Sequence, residues 1–193
     1  VVCVATIRAL KYHGGQPKEE VEKENLEALK NGIKNLNKHI ENLKDKFGLN
    51  AIVAINKFPT DTVNEINLLK SELENQGVNI SLAENHQKGG EGIIDLANKV
   101  VKLCENESKL KFTYPIELTI KEKIERIAKE IYGAEGIEIN EEALEKIRFI
   151  EENNYDKLPI CIAKTQYSFS ADPKIYGAVN NFEFHIKDIV LYR

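Results

Sequence analysis

Three short clusters in this sequence carry residue types suited to holding a ligand. The first is Asn56-Lys57-Phe58-Pro59-Thr60-Asp61. An asparagine amide offers both a donor and an acceptor to the edge of a purine. An aromatic ring beside a proline on a strand-to-helix loop is poorly placed for the core of its own sheet and well placed to stack on a flat ring. The aspartate stands two places later than in the N-K-x-D spacing of base-recognition loops. Asn56 as a nucleotide-binding residue therefore competes with Asn56 tying the loop together and Asp61 assisting the helix start, and packing is the commoner role for a lone phenylalanine.

The second cluster is Lys88-Gly89-Gly90-Glu91-Gly92. It precedes a helical pattern, where free backbone N–H groups and the positive end of the helix dipole favour an anion. It lacks the full GxxxxGK[ST] spacing, so it is not a triphosphate cradle. A tight turn that needs glycine dihedrals explains it equally well. The third cluster is Arg8 with His13, just before Gly14-Gly15. Both are candidates to contact a phosphate or carboxylate, although a histidine hydrogen-bonded within its turn is the simpler reading. His39 falls on a helix surface, and His185, inside a terminal strand, reads as structural. The four histidines show no metal-ligand spacing, and no Ser-His-Asp or nucleophile-elbow pattern occurs. No metal site and no catalytic residue can be named from the sequence.

These clusters need elements to position them. Val1 to Thr6 reads as a strand buried on both faces of a parallel sheet, Ala51 to Asn56 as a second and Val78 to Leu82 as a third. Leu26, Leu29, Ile33, Leu36, Ile40, Leu43 and Phe47 alternate at intervals of three and four, which predicts one long helix with a single apolar face. Thr62 with Glu65 forms a capping-box pattern before Val63, Ile66, Leu69 and Leu73, and Gly77 stops that helix. Ile93, Ala97, Val100 and Cys104 carry another. The alternation predicts an open parallel α/β sheet, and in such sheets ligands bind beyond the carboxyl ends of the strands. The loops Arg8 to Gly15, Asn56 to Thr62 and Ala83 to Gly92 all fall on that edge.

After about Lys111 the rhythm changes. Thr119 and Glu122 form a second capping box, Ile120, Ile124, Ile127 and Ile131 follow at helical spacing, and Gly133 ends the run. A helix is predicted from about Glu141 to Glu152, then a strand-like Pro159 to Ala163, a turn-rich Thr165 to Pro173, and an extended Phe182 to Arg193 whose apolar phase switches near Lys187 and Asp188. The division expected is 1–112, an α/β parallel-sheet part, and 113–193, a smaller α+β subdomain truncated at its C-terminal end.

Composition bounds the rest. Apolar residues make up 42% and charged residues 30% of the 193, which is ordinary globular usage and argues against disorder. The net charge of −4 arises from interleaved lysine and glutamate, so a nucleic-acid partner is not expected. No apolar run approaches the roughly 18 residues of a membrane span. Cys3, Cys104 and Cys161 are scattered among apolar neighbours, an arrangement that fits a reducing, cytoplasmic compartment. Val1 lacks an initiator Met and both ends fall inside strand-like patterns, which reads as a piece of a longer protein.

The stretches ATIRALKYHGG (Ala5 to Gly15), NLNKHIENLK (Asn35 to Lys44), AINKFPTDT (Ala54 to Thr62), KGGEG (Lys88 to Gly92), IKEKIERIAKEIYGAEG (Ile120 to Gly136) and LPICIAKTQYSFSADP (Leu158 to Pro173) closely resemble consecutive blocks of formate-tetrahydrofolate ligase. The resemblance runs in order along essentially the whole chain. It implies an enzyme that joins formate to tetrahydrofolate with ATP (carried as its magnesium complex), through a formyl phosphate intermediate, in one-carbon metabolism. It further implies a P-loop NTPase type of fold with added domains, a homotetramer, and activity supported by a monovalent cation.

The family's phosphate-binding loop lies before the ATIRALK block, as do most residues that hold formyl phosphate. This chain alone is therefore expected to be inactive. Within the part present, the family's pterin-holding aromatic maps to Phe58, and its stacking partner, a Trp, maps to His86, a departure that implies weaker folate binding or a different ring contact. Pro59, Gly89, Gly90 and Gly92 are carried over as folate-binding positions, and Asn56 and Lys88 as nucleotide-binding ones. Two other functions are consistent with parts of the pattern. One is a nucleotide-binding switch protein of the P-loop type, against which the displaced Asp61 counts; the other is a non-catalytic scaffold derived from the ligase.

Overall fold

The computed structural model describes residues 1–163, 169–170, 172 and 175–192. The chain divides into two compact units, one comprising Val1–Lys111 with Asp172–Ala178 and the other Phe112–Ala171 with Val179–Arg193.

The first unit runs β1 (Val2–Ala5), α1 (Ile7–His13), α2 (Leu26–Glu41), β2 (Ile52–Asn56), α3 (Val63–Asn75), β3 (Asn79–Ala83), α4 (Asn85–Lys88) and α5 (Ile94–Cys104). The strands form a parallel sheet in the order β1-β2-β3. Val4 pairs with Ala54 and Ala54 with Ser81, while Ala5 pairs with Ile55 and Ile55 with Leu82. Because side chains alternate across a strand, Cys3, Ala5, Val53, Ile55, Ile80 and Leu82 share one face. That face meets Leu29, Ile33 and Leu36 of α2 and Ile66, Leu69 and Leu73 of α3 in one apolar core. Burial on both faces, expected for the first strand, holds for β2, where Ile52, Val53, Ala54 and Ile55 are all buried. It fails for β1, an outer strand of this sheet whose Val4 is 65% exposed on the opposite face.

Local chemistry sets the element ends. The Thr62 hydroxyl accepts from Glu65 N–H and the Glu65 carboxylate accepts from Thr62 N–H, closing the predicted capping box of α3. The long helix departs from the prediction near its end. After Glu41 the backbone widens into a π-helical turn, Asn42–Lys46, which rotates the face so that Asn42 is buried and Leu43 and Phe47 only partly so. Helices α1 and α2 cross closely because Gly32 has no side chain: a Cβ there would lie 1.7 Å from the Leu10 carbonyl oxygen.

The second unit contains α6 (Ile120–Ile127), β4 (Gly136–Ile139), α7 (Glu141–Glu152) and β5 (Glu183–Ile186). The Thr119–Glu122 capping box is present, and Gly133 ends the helical run at φ 79°. Ile120, Ile124, Ala143, Ile147, Ile150 and Ile186 form its core. Where the sequence suggests an α+β arrangement, β4 and β5 pair in parallel, with α7 on the crossover between them. The strand expected at Pro159 to Ala163 does not form. Ile160 instead exchanges its backbone hydrogen bonds with the Tyr114 hydroxyl, its N–H donating at 2.7 Å and its carbonyl accepting at 3.2 Å. The phase switch at Lys187 and Asp188 coincides with the end of β5 at Ile186. Most of the turn-rich stretch from Thr165 to Pro173 lies outside the described residues. Among the described residues, no helix is long and apolar enough to cross a membrane.

Candidate functional site

The carboxyl ends of the three parallel strands deliver three segments to one edge of the first unit's sheet: Thr6 with the start of α1, the loop after Asn56, and the segment after Ala83. Side-chain bonds tie adjacent segments together. Phe58 to Asp61 is a tight turn with Pro59 at its second position, closed by the Asp61 N–H donating to the Phe58 carbonyl at 3.0 Å. Its return bond runs from the Phe58 N–H to Asp61 Oδ2 at 2.7 Å. Asp61 is buried and its Oδ1 has no hydrogen-bond partner. Burial raises its pKa, against the lowering effect of the Phe58 N–H and of Lys11 and Arg8. The displaced aspartate thus shapes the loop that carries Phe58.

Arg8 joins the first segment to the second. Its guanidinium carbon lies 4.4 Å from the centroid of the half-buried Phe58 ring, and Nη2 donates to Thr60 Oγ1 at 3.0 Å. The same nitrogen pairs with Glu22 at 3.1 Å. Arg8 is a candidate anion contact by sequence; in the structure its charge is engaged within the protein. Lys57 joins the second segment to the third. Its ammonium meets Glu84 Oε1 at 2.8 Å, Lys88 meets Oε2 of the same carboxylate at 2.6 Å, and the Lys57 N–H donates to the Ala83 carbonyl at 3.0 Å. Held by two lysines, the Glu84 carboxyl falls to about 2. The nucleotide candidate Lys88 is therefore paired, and Asn56 stands half-buried at the end of β2.

Beneath this edge, Lys11 and Glu65 form a buried pair at 2.7 Å. The Lys11 ammonium also donates to the Lys23 carbonyl, and Glu65 accepts from the Asn25 and Thr62 N–H groups. Burial alone would raise the Glu65 pKa, but the bonds from Lys11, Thr62 and Asn25 outweigh it, so the carboxyl stays below its usual range.

The glycine run differs from the loop expected. Lys88 ends α4, and Gly89–Ile93 winds as a 3-10 turn leading directly into α5. The Gly92 carbonyl accepts from Glu84 N–H at 3.0 Å, and a Cβ at Gly92 would lie 2.6 Å from the Glu84 carbonyl carbon and oxygen. Gly92 is thus a close-approach glycine, whereas Gly89 and Gly90 are exposed. His86 is exposed on α4 and makes no ring contact with Phe58. His13 packs edge-on against Tyr12 at 5.9 Å; its Nδ1 is buried without a hydrogen-bond partner, and burial lowers its pKa. A neutral imidazole is a weak anion partner, which counts against His13 in that role. A cavity of about 330 Å³ flanks β3, lined in part by Lys70, Glu84, Lys88, Asp95 and Lys99, and Phe58 does not line it. Among the described residues, no group of three or more His, Cys, Asp or Glu could hold a metal ion.

Sequence reasoning does not single out Glu84, Glu22 or the Lys11–Glu65 pair. Glu84 has a readable signal, since it is the first residue past a parallel strand; the others depend on how α1 packs.

Known proteins resemble this chain along its whole length. The family model described as formate--tetrahydrofolate ligase matches residues 1–193. The formate--tetrahydrofolate ligase of Campylobacter concisus is 50% identical over 189 residues, covering 98% of this chain and 34% of the relative. That of Bacteroides thetaiotaomicron is 48% identical over 192 residues, with the same two coverages of 98% and 34%. This chain spans about a third of the length of these curated relatives.

Proposed function

The chain belongs to the formate-tetrahydrofolate ligase family, and from that premise we propose that it supplies the folate-facing wall of an ATP-dependent ligase that makes 10-formyltetrahydrofolate. The observation that carries this reading is the Phe58 ring. It stands half-buried, with Arg8 over one face, on a loop beyond the end of β2 whose main chain Asp61 fixes, in a chain that matches the family over its whole length.

Tetrahydrofolate presents a flat pyrimidine ring in its pterin, and an aromatic ring on a fixed loop offers it a stacking platform at little entropic cost. Pro59 narrows the turn that presents the ring. Gly89, Gly90 and Gly92 keep the neighbouring segment low, so that backbone groups can approach a ligand. His86 is the candidate for the opposing ring, and Asn56 for the nucleotide edge. Lys88 is paired with Glu84 and keeps further ammonium donors for an anion. The contribution of this chain is positioning, on a partial parallel sheet of P-loop NTPase type; activation of formate by phosphoryl transfer belongs to the part of the ligase that carries the phosphate-binding loop. ATP and its magnesium enter as substrate, and the described residues offer no cluster of His, Cys, Asp or Glu to hold the metal. A monovalent cation supports the reaction from elsewhere in the longer polypeptide. A cytoplasmic location and assembly as a homotetramer complete the proposal.

The reading as a base-recognising switch protein is disfavoured because Asp61, the residue that would face the base, is turned onto the Phe58 N–H. The ligase reading is tested by assaying 10-formyltetrahydrofolate formation from formate, ATP and tetrahydrofolate. A ligase polypeptide carrying this segment is expected to turn over, and the 193-residue chain alone to show none at saturating substrates. Product from the chain alone, or none from the longer polypeptide, would overturn it.

A further inference from the structure

An aromatic ring on a loop has two faces, and in this structure one of them is taken. The Arg8 guanidinium lies over the Phe58 ring at 4.4 Å, and the same side chain reaches past it to the Thr60 hydroxyl at 3.0 Å and the Glu22 carboxylate at 3.1 Å. Arg8 is itself anchored, because it stands in the first turn of α1, whose N-terminus is capped by the Thr6 hydroxyl and whose Ile7 and Leu10 are buried. It is therefore a rigid strut between an element and a loop. The loop's other internal restraints, the Asp61 bonds to the Phe58 backbone, fix the main chain but leave the ring free to turn about its side-chain torsions. Arg8 is the group seen over the ring face, where it can restrain that rotation.

We propose that Arg8 is a positioning residue for folate: it holds one face of Phe58 so that the other is presented to the pterin. The proposal rests on the reading of Phe58 as the pterin platform. It differs from a direct role for Arg8 in binding formate or ATP, because Nη2 is engaged by Glu22 and Thr60 while the guanidinium lies over the ring. Planarity is the property required. A guanidinium can lie flat on a ring while its edge donates to a hydroxyl, and an ammonium cannot do both.

The test is a double-mutant cycle in the full-length ligase carrying this segment, reading kcat and the KM values for tetrahydrofolate, formate and ATP. Arg8→Ala is expected to raise the folate KM about three- to tenfold, leaving kcat within about twofold and the other two KM values unchanged. Arg8→Lys recovers less than half of that loss. Thr60→Ala, at an exposed side chain that leaves the fold intact, moves folate KM in the same direction by less. In a Phe58→Ala background, Arg8→Ala adds nothing, because Arg8 acts only through the ring. A rise in the formate or ATP KM at least as large as that for folate would overturn the proposal, as would a full additive effect without Phe58 or no effect at all. If Phe58→Ala itself leaves the folate KM unchanged, the folate reading falls and Arg8's role with it. A normal Phe58→Ala loss with an additive Arg8→Ala loss removes Arg8 alone.

Discussion

At the scale of single residues, the ligand edge is held by charges that neutralise one another. Glu84 is the clearest case, with one carboxylate gathering Lys57 from the preceding loop and Lys88 from its own. The sign of its pH dependence follows from the direction of the shift. Its carboxyl falls from an ordinary value of 4.5 to about 2, so the stabilisation is fully present above 4.5 and is lost as pH falls through about 2. We expect the thermal midpoint of the chain to fall across that window and Glu84→Gln to make the fall shallower. Equal slopes for the two proteins would show that Glu84 contributes nothing. Phe58, Asn56 and Lys88 stand out as candidates because their types and loop positions are visible in a string. Their partners are not. Arg8 reads in sequence as a candidate anion contact, and only the packing of α1 beside the loop after β2 reveals that it lies over Phe58 and pairs with Glu22.

At the scale of elements, the edge stands on a buried ion pair. Lys11 lies in α1 and Glu65 in the first turn of α3, and their 2.7 Å contact ties both helices to the segment Lys23 to Asn25. Glu65 does double duty, since its second oxygen closes the capping box at Thr62, where the Phe58 loop ends. Lys11→Met would leave that carboxylate buried without its cation, and removing one partner of such a pair costs about 3–5 kcal/mol. Urea unfolding followed by helical circular dichroism should register a loss of that size, whereas a change under about 1 kcal/mol would mean that the site relaxes or hydrates. The capping box is announced in the sequence by Thr62 and Glu65, but nothing there signals that the same glutamate reaches α1, because that bond spans 54 residues. The glycine run and the segment Pro159 to Ala163 mislead for a related reason. Composition suggests a loop and a strand, while a carbonyl-to-amide contact at Gly92 and the Tyr114 hydroxyl at Ile160 supply the decisive bonds.

At the scale of the whole molecule, the first unit is an open parallel sheet whose carboxyl edge carries the Phe58 loop. The parallel α/β sheet is readable from alternating strand and helix periodicities, as are both capping boxes, while the order β1-β2-β3 comes from the structure. The exposure of Val4 on β1 is not, because burial on a strand's second face depends on what else covers the sheet. The chain spans about a third of its curated relatives, so the proposed role is to be tested in a longer polypeptide that carries this segment. Whether Phe58 is that contribution is decided by calorimetric titration of tetrahydrofolate into the full-length ligase and its Phe58→Ala variant. The variant is expected to bind folate more weakly by about 1–3 kcal/mol, by analogy with the loss of a stacked aromatic elsewhere, while its affinity for ATP is unchanged. Equal folate affinity in the two proteins would contradict a pterin platform at Phe58.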